Sequence, residues 1–221
     1  MKLSVAILIS GSGSNMVQLV KSIGSDHPAF PSIVIANKKE AIGLKKAQEL
    51  GVPTKVIDKN YIKNNGLDFE VELLKILKKY NVNIICLAGF MTILSKQFIE
   101  NYNDRILNIH PSLLPKYRGL NTHARVLASD DRIAGCSVHL VTPKLDAGPV
   151  LAQAEVLIGK NETQDTLAAK ILVQEHILYP KALLNFSNQI RNLLEVKNSK
   201  LRCLMIDVKL HNENNYKDFR T

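Results

Sequence analysis

The sequence predicts an α/β protein with a doubly wound sheet: mostly parallel strands flanked by helices, with an antiparallel edge formed by its later strands. Short apolar, β-rich runs alternate with helical segments through the first half of the chain, which is the pattern of βαβ units. One run, residues 82–88 (VNIICLA), is largely apolar, as expected for a central parallel strand covered on both faces. Two later strand-like segments flank a turn-rich PKLDAGP linker, and such a pair favours antiparallel pairing.

The first half of the chain carries the elements of the parallel sheet. The predicted strands are residues 3–9, 32–36, 54–57 and 82–88. The predicted helices have apolar residues at helical spacing and are residues 15–23, 42–50 and 68–80. Gly51 stops the second of these helices. In the third, acids crowd the first turn and lysines the last, which matches the helix dipole.

The second half is less regular. Residues 108–123 contain two prolines and a glycine, so they cannot form one regular element. Strands are predicted at residues 135–142 and 150–158. A long helix is predicted from Thr163 to about residue 179, capped by Asn161 or Thr163 and ended or kinked by Pro180. The polar residues 211–221 are expected to fray, and we expect one domain spanning residues 1–221.

The composition is that of a globular protein with a preference for anions. Of the 221 residues, 46% are hydrophobic and 22% charged, and the net charge is +9. A basic balance makes phosphates, carboxylates or nucleic acids plausible partners. The lysine pairs are scattered, however, so no nucleic-acid-binding arm is predicted. Because Trp is absent and only 5% of residues are aromatic, a stacking platform for single-stranded nucleic acid is not expected. Solvated lysines on exposed faces also explain the positive charge, and a small anionic substrate is compatible with either explanation.

The three cysteines, Cys86, Cys136 and Cys203, are odd in number and far apart, which is typical of a reducing compartment and gives no disulfide framework. The apolar run at residues 3–9 is very short for a signal peptide and is explained equally well by a buried strand. No stretch approaches the roughly 18 apolar residues of a membrane span. The sequence therefore predicts a cytoplasmic protein without a membrane partner.

The loop Gly11-Ser12-Gly13-Ser14-Asn15 lies between a predicted strand and a predicted helix. Backbone amides at such a helix start can bind an anion, and glycines allow its close approach. The dinucleotide pattern G-x-G-x-x-G fails because Met16 stands at its third glycine, and no Gly-Lys-Ser/Thr follows for a nucleotide P-loop. A generic phosphate cradle and a simple tight turn remain as alternatives.

A candidate catalytic group lies in Asn108-Ile109-His110-Pro111. In an extended segment Asn108 and His110 project to the same side, where an amide donor and an imidazole can bind a carbonyl oxygen and move a proton. Asp146 lies in the predicted turn between two strands; beside His110 it would stabilise the imidazolium. The alternatives are a structural histidine and an ordinary turn aspartate.

Other polar residues give weaker signals. Cys136 and His139 are three apart on a predicted strand, so they point to opposite faces and cannot share a metal. His123 begins an apparent helix and is expected to cap it or to pack. Glu175 and His176 lie on the long helix and would ordinarily belong to its solvated face.

Several segments together resemble the phosphoribosylglycinamide formyltransferase family, folate-dependent enzymes of purine synthesis. The matching segments occur in the family's order and cover most of residues 3 to about 186; they are ILISGSGSN, LAGFMTILS, LNIHPSLLPKYRGL, SVHLVTPKLDAGPV and QEHILYP. The NIHPSLLP block marks the wider formyltransferase superfamily, and the glycine loop with QEH narrows the resemblance to this member.

The resemblance implies a Rossmann-like formyltransferase fold with the active site at the carboxyl edge of the sheet. It implies 10-formyltetrahydrofolate as co-substrate, no metal, and a phosphorylated glycinamide as acceptor. The catalytic residues would be Asn108, His110 and Asp146. The acceptor would be bound by Gly13, Ser14, Asn15 and Glu175. The folate would be bound by Met91, Thr92, Ile93, Leu94 and Asn108. Residues 1–100 would form the phosphate-binding half, 101–190 the catalytic and folate-binding half, and 191–221 a divergent tail.

This chain departs from the family pattern in places. Gly66-Leu67 and Thr92 occupy positions where the family commonly has arginines. Arg118 lies in a Tyr-Arg-Gly sequence that is more typical of the same loop in methionyl-tRNA formyltransferase. The alternatives are a relative with another formyl acceptor, a formyltetrahydrofolate hydrolase, and a non-catalytic nucleotide-binding protein on the same fold. A further C-terminal domain, as in the tRNA enzyme, is not expected here, and the assembly is expected to be a monomer or a homodimer.

Overall fold

A computed structural model describes residues 2–58, 62 and 65–214, with side chains described as far as Val196. In this part of the chain seven strands form one sheet. The strands are β1 (Leu3–Ile9), β2 (Ala29–Ala36), β3 (Thr54–Val56), β4 (Ile84–Leu87), β5 (Ile106–His110), β6 (Ile133–Leu140) and β7 (Val150–Leu157). Their order is β3-β2-β1-β4-β5-β6-β7. The pairs from β3 through β5 are parallel, and β6 and β7 are antiparallel to their neighbours, which confirms the predicted mixed sheet.

The helices flank this sheet on both faces. Within the described residues they are α1 (Ser14–Ser22), α2 (Gly43–Glu49), α3 (Phe69–Lys79), α4 (Lys96–Asn101), α5 (Thr122–Leu127) and α6 (Gln164–Asn214). The predicted bounds of α1, α2 and α3 agree with these to within a few residues. Asp68 caps α3 because its carboxylate accepts hydrogen bonds from the amides of Glu70 and Val71, as an N-cap aspartate does.

The alternation of side chains along β1 explains the two-sided core. Val5, Ile7 and Ile9 pack on one face with residues of α1 and α6. Ala6 and Leu8 pack on the other face with residues of α3 and α4. Both faces of the strand are therefore apolar and buried, which is the signature of a central parallel strand. This burial confirms residues 3–9 as the first strand of the sheet.

The strand order reverses between β1 and β4. The chain runs outward from β1 to β2 and β3, then returns to place β4 on the other side of β1. In open α/β sheets, ligands bind in the crevice at the carboxyl ends of the strands flanking such a reversal. The loops that follow β1 and β4 therefore enclose the expected binding region.

Pro180 is predicted to end or kink the long helix; an end at this residue is wrong, because α6 continues through Pro180 to Asn214, and a kink there stays a prediction. Buried residues on both sides of the proline, Tyr179, Ala182 and Leu183, pack into the core, and this packing outweighs the loss of one backbone hydrogen bond. The predicted cap is confirmed at Thr163, whose hydroxyl accepts from the amide of Thr166. The backbone of 211–214, expected to fray, continues α6, and 215–221 lie outside the described residues.

None of the helices in the described ranges is both long enough and apolar enough to cross a membrane.

Candidate active site

The loop after β1 forms an anion cradle, residues 10–15. Gly13 precedes α1 in the left-handed conformation, at φ 67°, and no side chain caps the helix start within these described residues. The amides of the first helical turn have no partner within a helix, so they are available to a ligand. The positive end of the helix dipole adds to their attraction for an anion.

Two glycines make this loop possible. A Cβ on Gly13 would lie 2.8 Å from the Cα of Gly43, closer than such atoms approach. The amide of Gly43 in turn donates to the carbonyl of Gly11 over 3.0 Å. Lys46 donates to the carbonyl of Ser12 over 3.0 Å. The start of α2 therefore supports the cradle through backbone contact and leaves its amides open.

A cavity of about 280 Å³ lies in the crevice between β1 and β4. Its walls are the whole cradle, the exposed Lys38, and the segment after β4, including Gly89 and Met91. The hydroxyl of Ser10 accepts from the amide of Met91 over 2.7 Å, which ties the two loops together. The predicted phosphate-binding residues Gly13, Ser14 and Asn15 all line this cavity.

The second polar group lies at the end of β5. Asn108 and His110 are two residues apart on this strand, and both side chains reach the same polar cluster, as the alternation predicted. The Nδ1 atom of His110 lies 3.4 Å from Oδ2 of Asp146, and both side chains are less than 10% exposed. The structure therefore brings together the three residues that the sequence nominated as catalytic.

Asp146 reaches this position because its turn is held tightly against β6. The residue adopts a positive φ of 46°. A Cβ on Gly148 would lie 1.9 Å from the carbonyl oxygen of Leu140, so only glycine allows the turn to approach so closely. The amide of Gly119 donates to Oδ2 of Asp146 over 2.9 Å, which fixes the carboxylate beside the imidazole.

The sequence did not identify His139 as part of this cluster. His139 is the antiparallel partner of Asn108, and its Nδ1 lies 2.9 Å from the carbonyl of Leu140. Burial lowers the pKa of His139, so the ring is neutral and carries its proton on Nδ1, where only an acceptor is present. Its Nε2 atom therefore accepts from Nδ2 of Asn108, 3.1 Å away. This contact fixes the direction of the Asn108 amide.

His110 is held at both ring nitrogens. Its Nε2 atom lies 3.0 Å from the carbonyl oxygen of Tyr117, which can only accept, so Nε2 carries a proton. Its Nδ1 atom faces Asp146. A protonated imidazolium would thus have an oxygen acceptor at each nitrogen, and the cluster is suited to hold a positive charge beside a developing oxyanion.

Glu175 connects α6 to the cradle. The expectation that Glu175 lies on a solvated helix face is wrong, because the residue is 7% exposed and its Oε2 accepts from Nδ2 of Asn15 over 2.6 Å. Burial raises the pKa of Glu175, and the Asn15 hydrogen bond opposes part of that rise. The Oδ1 atom of Asn15 is buried without a partner among the described residues, so it is free to accept from a ligand hydroxyl or amine.

One helical turn further along, Tyr179 contacts the other side of the site. Its buried hydroxyl lies 3.1 Å from the carbonyl oxygens of both Leu87, the last residue of β4, and Leu107, the second residue of β5. Glu175 and Tyr179 are four residues apart, so they share one helix face. The helix α6 therefore contacts the cradle and the strands β4 and β5 at once.

Only part of the segment predicted to bind folate, residues 91–94, has side chains exposed to a ligand. Met91 and Ile93 are exposed, at 69% and 80%. Thr92 accepts a hydrogen bond from Nδ2 of Asn37 over 2.8 Å. Leu94 is buried in the core, so its side chain is not available to a ligand in this structure. Apolar side chains of this segment therefore remain at Met91 and Ile93.

Cys136 and His139 lie apart, as expected from their spacing. Cys136 is buried in a cluster between β6 and α6, whereas His139 lies at the polar group on β5. Burial raises the pKa of Cys136 to about 12. In the described ranges, no set of three or more metal-ligating side chains lies close enough together to hold a metal. His123, expected to cap or pack, lies in α5 with Nε2 buried and unpartnered in the same ranges.

The cradle and the His110 cluster lie on the same edge of the sheet. Only β4 separates β1 from β5, and neighbouring strands lie about 4.8 Å apart, so the two ends of the crevice lie about 10 Å apart. The crevice can therefore hold a molecule with an anion at one end and a reacting group at the other.

Comparison with known proteins agrees with this geometry. The model of the formyl transferase family matches residues 3–183. The phosphoribosylglycinamide formyltransferase of Escherichia coli strain K12 is 37% identical over 187 residues, covering 84% of this chain and 88% of that protein. The crystal structure of the phosphoribosylglycinamide formyltransferase from Brucella melitensis is 45% identical, with a TM-score of 0.79, and the match covers 85% of this chain and 96% of that chain.

Longer relatives contain the same unit. The trifunctional purine biosynthetic protein adenosine-3 of Bos taurus is 41% identical over 183 residues, which are 82% of this chain but 18% of that protein. The chain thus spans less than a fifth of the length of that relative. Family model, full-length relatives and solved structures agree on the region that holds both ends of the crevice. The chain therefore belongs to the formyl transferase family and, within it, to the phosphoribosylglycinamide formyltransferases.

Proposed function

We propose that this protein transfers the formyl group of 10-formyltetrahydrofolate to the amino group of 5-phosphoribosylglycinamide, in purine biosynthesis. The observation that carries the proposal is the single crevice at the carboxyl edge of the sheet. It has backbone amides for an anion at one end and the Asn108, His110 and Asp146 side chains at the other. The names of the matching relatives support the same acceptor.

The cradle would bind the phosphate of the acceptor through the first-turn amides of α1, assisted by Lys38 at the cavity wall. Glu175 and Asn15 would then face the ribose, because they lie beside the cradle and already share a hydrogen bond. The glycinamide would extend toward β5. Holding two substrates in one geometry can contribute up to about 7–11 kcal/mol in ideal cases.

The chemistry would begin with attack of the neutral amine on the formyl carbon. A carbon–nitrogen bond forms, and the formyl oxygen becomes an oxyanion. Asn108 has one Nδ2 proton directed to His139, which leaves its other proton for this oxygen. The His110 imidazolium, stabilised by Asp146, would add positive charge. The bond from the carbon to N10 of the folate then breaks, while the attacking nitrogen loses a proton and N10 gains one. Water would carry this proton, or His110 would release a ring proton to N10 and take up the proton of the attacking nitrogen.

The folate would lie against the segment after β4. Met91 and Ile93 present apolar surface there, which suits a pterin ring, and the backbone of Thr92 and Leu94 would supply polar contacts, with Asn108 reaching the formyl group. We propose that the reaction needs no metal, because the formyl group of the donor is already activated.

Further expectations belong to the same proposal. Residues 1–100 would form a phosphate-binding half, 101–190 a catalytic and folate-binding half, and 191–221 a tail outside the site, all within one domain. The free, buried Cys86 and Cys136 support a cytoplasmic location, where thiols stay reduced. We expect a monomer or a homodimer that binds neither nucleic acid nor a membrane.

The test is a spectrophotometric assay of tetrahydrofolate release from 10-formyltetrahydrofolate, with and without glycinamide ribonucleotide. We expect release that depends on the ribonucleotide and that inorganic phosphate inhibits by competition. Equal release without the ribonucleotide would indicate a hydrolase and contradict the proposal. The absence of release under both conditions would contradict it as well, and would direct attention to other acceptors or to a non-catalytic role.

A further inference from the structure

Residues 116–120, which we call the strap, cross over His110 and Asp146. The carbonyl of Tyr117 accepts from Nε2 of His110 over 3.0 Å. The amide of Gly119 donates to Oδ2 of Asp146 over 2.9 Å. Both contacts are made by the backbone, so the strap acts on these two residues through its position alone.

The backbone conformation of the strap is intrinsically unfavourable at one of its residues. Tyr117 has a φ of 54° and Gly119 a φ of 80°. The left-handed region is permissive for glycine but unfavourable for a residue with a Cβ. A tyrosine in this conformation must therefore be held by contacts outside the strap.

Contacts with the segment that follows α5 hold the strap. The hydroxyl of Tyr117 lies 2.8 Å from Oδ2 of Asp131 and 2.7 Å from Oγ of Ser129. Lys116 donates to both carboxylate oxygens of Asp131, each over 2.8 Å. The Lys116 and Tyr117 hydrogen bonds lower the pKa of Asp131, so the carboxylate is ionised and accepts the phenol proton.

Arg125 of α5 adds a second attachment. Its guanidinium donates to the carbonyl of Arg118 over 2.6 Å. The same group lies 5.5 Å from the centroid of the Tyr117 ring, within the range of a cation–π contact. The Tyr117 ring is thus fixed on its face by Arg125 and at its hydroxyl by Asp131.

We propose that Tyr117 and Asp131 are positioning residues for the formyl transfer. Asp131 anchors the Tyr117 hydroxyl, the anchored residue keeps its carbonyl on Nε2 of His110, and that contact fixes which ring nitrogen faces Asp146. Without the anchor the carbonyl moves away, and the imidazole can rotate or exchange its Nε2 proton with water. This inference rests on the catalytic role of His110 proposed above.

The experiment compares Tyr117→Phe and Asp131→Asn with Asp130→Asn. Tyr117→Phe removes the hydroxyl and keeps the ring against Arg125. Asp130 is the matched control because it is the exposed neighbour of Asp131 and loses the same charge. We expect Tyr117→Phe to lower kcat about tenfold, with the KM of each substrate within about twofold, because the change disturbs geometry and not binding.

The two variants that weaken the anchor, Tyr117→Phe and Asp131→Asn, should lower kcat by different amounts. In Asp131→Asn the amide oxygen can still accept the phenol proton, so we expect a smaller loss of kcat than in Tyr117→Phe. Asp131→Ala removes the carboxylate and leaves Ser129 Oγ as an acceptor for the phenol, so its loss of kcat should lie between those of Asp131→Asn and Tyr117→Phe. The control should keep kcat within about twofold, as surface changes away from a site usually do. Asp131→Asn also serves if Tyr117→Phe does not fold.

A second readout is independent of activity. Side-chain ¹H–¹⁵N spectra, assigned with His110→Ala, report the Nε2 proton of His110. We expect it to exchange with water slowly in the unchanged protein and faster in Tyr117→Phe. Unchanged exchange in both anchor variants, or a kcat loss shared by Asp130→Asn, would overturn the proposal.

The two proposals can fail separately. If the unchanged protein shows no ribonucleotide-dependent release, or if His110→Ala keeps full turnover, the proposed function or the role of His110 is wrong. The exchange measurement then still tests whether Tyr117 holds the imidazole. If the unchanged protein is active, His110→Ala is inactive and Tyr117→Phe behaves as the unchanged protein, the positioning role alone is wrong.

Discussion

The anion cradle after β1 and the polar cluster after β5 lie on the same sheet edge, but different groups build them. The cradle presents backbone amides, and its shape depends on the close approach of Gly13 to Gly43. The cluster presents the side chains of Asn108, His110 and Asp146, each fixed by a neighbour. The cradle should therefore depend mainly on its backbone shape, with the Ser14 and Asn15 side chains as additional contacts, whereas the cluster should depend on individual functional groups.

The largest effect is expected from the cluster. His110→Ala and Asp146→Asn should each lower kcat by about 10²–10⁴-fold, the usual contribution of a proton-transfer or charge-stabilising group. The KM for the phosphorylated substrate should change little, because the cradle is untouched. Steady-state kinetics with both substrates varied would measure this. Asp165→Asn, at the exposed start of α6, is the matched control, and an unaltered kcat in Asp146→Asn would remove that carboxylate from the chemistry.

In the cradle, Gly13→Ala should change stability and the KM for the phosphorylated substrate more than it changes kcat. Its positive φ and the contact with Gly43 predict a stability loss of ~1–3 kcal/mol. A tenfold rise in the KM for the phosphorylated substrate would correspond to about 1.4 kcal/mol of binding energy, and we expect a rise of this order with kcat largely retained.

Gly24→Ala is the control for this change, because Gly24 is exposed, lies outside the cavity and has nothing within 4 Å of an added Cβ. Urea denaturation and substrate titration of both variants would make the comparison. Equal KM values in Gly13→Ala and Gly24→Ala would show that the cradle does not depend on this approach. Ser14→Ala and Asn15→Ala should raise the same KM, and insensitivity of both would argue against phosphate binding here.

Thr92→Val tests a side-chain contact beside the cradle. Asn37 would lose the acceptor for its buried Nδ2, and its Oδ1 already has no partner among the described residues. A buried donor without a partner costs about 1–3 kcal/mol, so the free energy of unfolding should fall by an amount in that range. Thr92→Ser keeps the hydroxyl and should retain stability. If Thr92→Val is as stable as Thr92→Ser, the hydrogen bond contributes nothing.

The smallest effect is expected on the pH dependence of stability, through Glu175, which connects α6 to the cradle. Glu175 has a pKa raised by burial above its ordinary value of 4.5. As pH rises through that value, the unfolded chain releases this proton before the folded protein does, so the Glu175 contribution to stability falls with increasing pH. Glu175→Gln keeps an oxygen acceptor for Asn15 and should lack this slope. Urea unfolding from pH 4.5 upward would measure it, and parallel pH profiles would contradict the prediction.

The sequence was sufficient for the features that depend on local pattern. Strand β1, helix α3 and the shared side of Asn108 and His110 follow from the periodicity of the sequence. The placement of Asp146 beside His110 was conditional, because it depends on how the β6–β7 turn folds back onto β5. Chain position alone does not determine that contact.

The residues that were missed depend on packing between distant segments. His139 joins the cluster through its antiparallel register with Asn108, and foreseeing that pairing would have identified it. Glu175 looked solvated because helical spacing gives no information on what lies opposite, which here is Asn15, 160 residues away. The continuation of α6 past Pro180 likewise results from packing around Tyr179 that a local helix-stop signal does not include.

The spacing of Glu175 and Tyr179 on α6 has a consequence for substrate choice. Glu175 accepts a hydrogen bond from the cradle residue Asn15, and the Tyr179 hydroxyl donates to the carbonyls of Leu87 at the end of β4 and Leu107 within β5. One helical turn therefore ties the cradle to both of these strands. Under the proposed function, an acceptor analogue lengthened or shortened by one bond between its phosphate and its amine should bind less well, because it would not fill both ends of the crevice.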